Sequence, residues 1–290
     1  MKLESWVEEK SNGEYIVADR LLELNPLTLI KGKKTAILGM KNDTNVQVRV
    51  TWYKDAPDLG LDMDSIRVNM LLAQQDMEFS KSIASQFENA DVGKISIGVI
   101  KPAIYFLPFG EPDPVSRQKM LDQIFAFLEK NEKTDYANIW IEWMEDSIYG
   151  KEFRDVIPNG YWYRVDSYHD RHKIVSLDFE YSDTIDRDAV SKGWEVNTLA
   201  DRAGQYQKAA YDAAIAWAAK NLSQPYHVEG NHYMSFHPEE GDPMAVKYSY
   251  PIYDTPPPEG GVEPENKGYV TVLYQVDQKK VIRVVKDDDQ

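Results

Sequence analysis

The clearest period along the chain is two. Val46, Val48, Val50 and Trp52 alternate with Gln47, Arg49 and Thr51, the pattern of a strand with one face buried. Residues 14–24 and 34–40 are shorter apolar segments read as strands. Ile66, Val68, Met70 and Leu72 alternate again and predict a strand over 66–72. Residues 94–109 are apolar and β-branched but contain Pro102, which predicts two short strands with a bend. In 137–144, Ile139, Ile141 and Trp143 fall on one face and Trp140, Glu142 and Met144 on the other. Further along, Val175, Leu177 and Phe179 alternate with Ser176, Asp178 and Glu180, and this strand is expected to form a hairpin with 161–168. Strands over 245–250, 269–276 and 280–285 follow, the last two as a second hairpin.

Elsewhere the period lengthens to that of a helix. Phe79, Ile83 and Phe87 recur every four residues, predicting a helix over about 75–89. Asp113 followed by Pro114 is a helix start: the carboxylate can cap the first turn, and proline lacks only an N–H that had no partner there. Leu121, Ile124, Phe125 and Leu128 then give a buried stripe, so the second helix covers about 114–131. The third, about 198–222, carries Leu199, Ala203, Tyr206, Ala210, Ala213 and Trp217 on one side. These elements do not alternate as βαβ units. The expected fold class is therefore α+β, with mixed or mainly antiparallel sheets and three main helices. Gly150, Pro158, Asn159 and Gly160 lie between strand signals and suggest two lobes, 1–150 and 151–290.

Composition removes options. The 290 residues carry a formal net charge of −15, split as −7 up to Gly150 and −8 after it. A field this evenly negative opposes binding to nucleic acid or an anionic membrane, both of which need Lys and Arg, and favours a protein partner with a basic surface. There is no cysteine, hence no disulfide, thiolate nucleophile or cysteine-ligated metal. The first nine residues are charged, and no apolar run approaches the ~18 residues of a membrane span. Neither a secretory signal nor a transmembrane segment is expected, which leaves the cytoplasm or a virion as default compartments.

No dinucleotide, P-loop, nucleophile-elbow or zinc-protease motif is present, and no cofactor is expected. Three groups of residues remain as candidate chemistry. Trp140, Glu142, Trp143 and Asp146 set acids beside indoles. With Glu142 as the acid, Asp146, Asp166 or Asp178 as the second carboxylate and Trp162 in the platform, they could serve a glycan hydrolase. Tyr161, Trp162, Tyr163, Tyr248 and Tyr250 are strand aromatics of the kind used in recognition. His227, His232 and His237 recur every five residues among carboxylates and could hold a metal only if a loop wrapped round it. The leading expectation is a non-catalytic protein-interaction or assembly component, a structural subunit or an acidic inhibitor or immunity-like binding protein, able to oligomerise. The alternatives are a glycan-directed hydrolase with paired carboxylates and a histidine/carboxylate metal enzyme.

Overall fold

A computed structural model describes residues 2–21, 32–88, 92–131, 137–151, 155–159, 161, 172–182, 184–197, 200–223, 226–230, 235–239, 242–256 and 265–287. The fold is α+β, with three sheets in mixed and antiparallel pairing. Among the described residues no helix is long and apolar enough to cross a membrane.

The first sheet joins β1 (Tyr15–Leu21), β2 (Lys33–Met40) and β3 (Gln47–Tyr53), all antiparallel. Val46, Val48, Val50 and Trp52 are buried, as their alternation requires, against α1 (Leu3–Lys10) and the first half of α2 (Met63–Phe87). Helix α1 escapes a sequence reading because only Leu3, Trp6 and Val7 are apolar on its buried side.

The strand expected over 66–72 is instead the beginning of α2. Ile66, Met70, Ala73 and Met77 are buried at helical steps of four, three and four, while Val68, Leu71 and Leu72 remain exposed. The apparent alternation arose because α2 carries apolar residues on its solvent side as well. The start signal was present: the Asp62 carboxylate accepts from the backbone N–H groups of Asp64 and Ser65. At 25 residues, α2 reaches the two cores. Ile66 to Met77 serve the first sheet, and Ile83 and Phe87 the second.

The second sheet runs in the order β4 (Ile95–Ile100), β5 (Ala103–Pro108), β6 (Asn138–Met144), β7 (Lys173–Glu180) and β8 (Glu195–Val196). Only β5 and β6 are parallel. They are joined through α3 (Pro114–Lys130), which begins as expected with the Asp113 cap. Met120, Leu121, Ile124, Phe125, Phe127 and Leu128 of α3 lie against Ile104, Phe106, Ile139, Ile141 and Trp143. Strand β7 pairs with β6 and β8; nearly all of the strand expected at 161–168 lies outside the described residues.

A short helix, α4 (Arg187–Ser191), precedes β8, and α5 (Ala200–Asn221) follows it. Tyr206, Ala210, Ala214 and Ala218 form the buried edge of α5, and the alanines allow close approach to the third sheet. That sheet has the order β10 (Ser235–Glu239), β11 (Asp242–Tyr253), β12 (Asn266–Gln275) and β13 (Lys280–Asp287), with β9 (His227–Val228) also on β11. The hairpin of β12 and β13 is the one expected. The core between these sheets takes side chains from Ile83 to Val276, on both sides of Gly150.

Candidate functional site on the outer face of the central sheet

Among the described residues, the helices pack on one face of the β4–β8 sheet. On the other face, strand register arranges the side chains of β5, β6 and β7 in rows. Ala103, Asn138 and Glu180 form the first, Tyr105, Trp140 and Asp178 the second, and Leu107, Glu142 and Ser176 the third. Phe109 and Met144 continue the series through an isolated bridge.

The chemistry changes along the rows. At the end nearest Met144 the face is closed. Leu107, Phe109, Met144, Ile148 and Ile157 are buried together, with Tyr105, Tyr149 and Tyr161 at their margin. Residues 155–157 are tied to β4 by two backbone bonds: the Ile97 N–H donates to Asp155 O (2.9 Å) and the Ile157 N–H to Ile97 O (2.8 Å). Gly98 lets them approach closely, since a Cβ there would lie 3.0 Å from the Ile157 side chain.

In the third row Glu142 is buried, and Lys173 Nζ donates to its Oε1 at 3.2 Å. The two side chains are only 10% and 18% exposed, so each neutralises a charge that would otherwise be costly there. Tyr105 sits beside this pair. Burial first, and then the Glu142 charge, push its hydroxyl above the ordinary tyrosine range. Just beyond β6, His172 Nδ1 lies 2.7 Å from Glu145 Oε2. Lys94 Nζ donates to Asp146 at 2.8 Å and stands 5.5 Å from the centre of the Tyr149 ring.

The second row is open. Trp140 is 38% exposed and stacks on Tyr105, with ring centroids 6.2 Å apart and planes inclined by 22°. Asp178 and Glu180 are exposed beside it. Exposed indole, supporting phenol and carboxylate thus lie in one line across three strands.

The candidates named from sequence separate accordingly. Trp140, Glu142 and Asp178 come together. Asp146 lies in the 3-10 turn after β6, held by Lys94. Tyr161 is half-buried at the apolar end; Trp162, Tyr163 and Asp166 lie outside the described residues. Trp143 is on the opposite face, 2% exposed, with its ring edge-on to Trp194 at 6.2 Å. It cannot share a platform with Trp140, because an odd step along a strand reverses the face. Tyr248 and Tyr250 are fully buried under α5, where the Tyr250 hydroxyl donates to Gln207 O at 3.2 Å. They pack the core and are not surface contacts, since their even positions on β11 point at the helix.

Of the three histidines named from sequence, only the side chain of His227 is described. His227 pairs with Tyr253 and His237 with Lys247, on the same side of β11. Their backbones thus meet β11 six residues apart, about 20 Å along the strand. His227 Nε2 lies 3.2 Å from Glu229, and His232 lies outside the described residues. Among the described residues no three His, Cys, Asp or Glu side chains gather in a way that could hold a metal.

Sequence reasoning missed Tyr105 and Lys173. Tyr105 alternates correctly within its strand, but only the parallel pairing of β5 with β6 brings it to Trp140. Lys173 reaches Glu142 because the ladder shifts register after Trp143. A second recess, a polar cleft of about 270 Å³ between β3 and α2, is lined by Gln47, Arg49 and Asp76, which already interact with neighbours. No protein-family model, no curated protein and no solved structure matches the chain.

Proposed function

We propose that the protein is a non-catalytic binding protein that holds a protein partner on the outer face of the central sheet, centred on Trp140. The observation that carries this reading is the exposed indole of Trp140, backed by Tyr105 and fixed on a central strand. A large rigid aromatic on a preformed surface loses little entropy on binding and is the commonest kind of interface anchor. The state of Glu142 also favours binding over chemistry, because its carboxylate is occupied by Lys173.

The test is site-specific photo-cross-linking with the intact chain in its native cell extract. A photoreactive residue replaces Trp140 or, as control, the exposed Ile215 of α5. A discrete protein adduct from position 140 and none from 215 is expected. No adduct at 140, or the same adducts at both positions, would overturn the reading.

One observation favours a second reading. Glu142 and Asp178 are diagonal neighbours on one face, a placement that sets side chains about 7 Å apart. That lies within the ~6.5–9.5 Å of an inverting glycosidase pair, with Trp140 as a sugar platform. Release of reducing sugar from a glycan panel, abolished by both Glu142→Gln and Asp178→Asn, would establish it in place of the first.

A further inference from the structure

This inference rests on the reading of the Trp140 face as a protein-binding surface and concerns what the partner presents there. Tyr105 occupies one flank of Trp140, and the strand register places Asp178 at the other, with Glu180 two residues further along β7. Both carboxylates are exposed, and neither has a hydrogen-bond or ion-pair partner among the described residues. Several other surface acids are taken up: Asp43 by Lys81, Asp146 by Lys94 and Glu111 by Lys279. Lys173 is engaged with Glu142.

We propose that this row recognises arginine on an extended basic segment of the partner. A guanidinium can lie flat on the open indole while its N–H groups donate to Asp178, so one group satisfies both the ring and the charge. Lysine would match the charge but offers neither the planar stack nor the fork of donors. Asp178 and Glu180 are spaced by two residues of strand, about 7 Å. An extended segment repeats its side chains at the same interval, so a second arginine two residues along would meet Glu180. The preferred occupant is therefore an Arg-x-Arg strand, which also complements the net charge of −15. The same carboxylates repel phosphate backbones and anionic headgroups.

The experiment titrates a fluorescently labelled Arg-Ser-Arg-Ser-Arg peptide with the full chain and reads anisotropy. The lysine analogue is run beside it. Expected results are saturable binding, at least tenfold weaker for D178N/E180Q and for W140A, and several-fold weaker for the lysine peptide. W140F should retain most of the affinity. The control E8Q/E9Q removes the same charge from exposed positions of α1 and should change affinity less than twofold. Absence of binding, equal loss in both charge variants, or equal affinity for the two peptides would overturn the proposal. Failure here with a discrete cross-link at position 140 refutes only arginine recognition. Failure of both experiments refutes the binding surface itself.

Discussion

Trp140 and Trp143 lie three residues apart on β6, and their surroundings differ in almost every respect. Trp143 is enclosed by α3, Trp194 and the strands beside it. Its indole N–H is buried with no hydrogen-bond partner among the described residues, a cost of about 1–3 kcal/mol that surrounding apolar contact must offset. Trp140 stacks on Tyr105, is 38% exposed and has Asp178 beside it in the register. One side of the sheet uses its aromatic to exclude water, whereas the other leaves its aromatic where a second molecule can do so. Residue type does not distinguish the two roles; strand parity and what covers each face do.

The sharpest way to break this comparison is to delete both indoles. Trp143→Ala should cost about 3–5 kcal/mol, read as a lower midpoint in urea. Trp143→Phe should recover most of that, because it keeps the ring contacts and removes the orphaned donor. Trp140→Ala should stay within about 1 kcal/mol of the parent. Equal costs for the two alanine variants would mean that the outer face is a core face after all.

The Glu142–Lys173 pair marks the line between the closed and open parts of the outer face, and breaking it has the next largest effect. Lys173→Met removes a counter-charge from a carboxylate that is nearly enclosed. A fully buried pair loses about 3–5 kcal/mol in this way. Here both side chains retain some exposure, and about 2–3 kcal/mol is expected. The double variant Glu142→Gln/Lys173→Met should regain at least half of the loss, since the enclosed negative charge is removed with the positive one. A double variant as unstable as Lys173→Met would show that packing, not charge, holds this row.

Parts of this arrangement were legible in the sequence. The alternation in 137–144 correctly set Trp140 and Glu142 on one face and Ile139, Ile141 and Trp143 on the other, and that in 173–180 set Asp178 opposite Leu177. Burial forces such period-two patterns wherever one face is dry. The helix starting at Met63 was not legible as such, because its exposed Val68 and Leu72 imitate a strand and only the Asp62 cap contradicts them. Nor could local pattern show which strands pair. Trp140 belongs with Tyr105 and Asp178 through contacts across 35 and 38 residues of chain, and nothing local encodes that register. That Trp143 and the β11 tyrosines are buried was hidden for a related reason. Aromatic strand positions suit a core and an interface equally, and only coverage by α3 or α5 decides.

The smallest expected effect sharpens the comparison at the residue where the closed and open parts meet. Tyr105 is packed at its ring and has Glu142 diagonally beside it, and both conditions favour the neutral phenol. An unperturbed tyrosine in the unfolded chain ionises near pH ~10. With the folded value raised, the native state holds its proton longer than the unfolded state does. Tyr105 thus contributes stability that is fully present below about pH 10 and is lost as pH rises through the folded value. Glu142→Gln removes the anion but leaves the burial, so ionisation of Tyr105 should move back only part of the way towards the ordinary range. Carbon-13 NMR of labelled tyrosine rings, with Tyr105→Phe to assign the signal, measures the shift directly. Because burial is the larger cause, a complete return in Glu142→Gln would show that Tyr105 is wetter than its place against Trp140 implies. The open part of the face would then extend one strand further, onto β5.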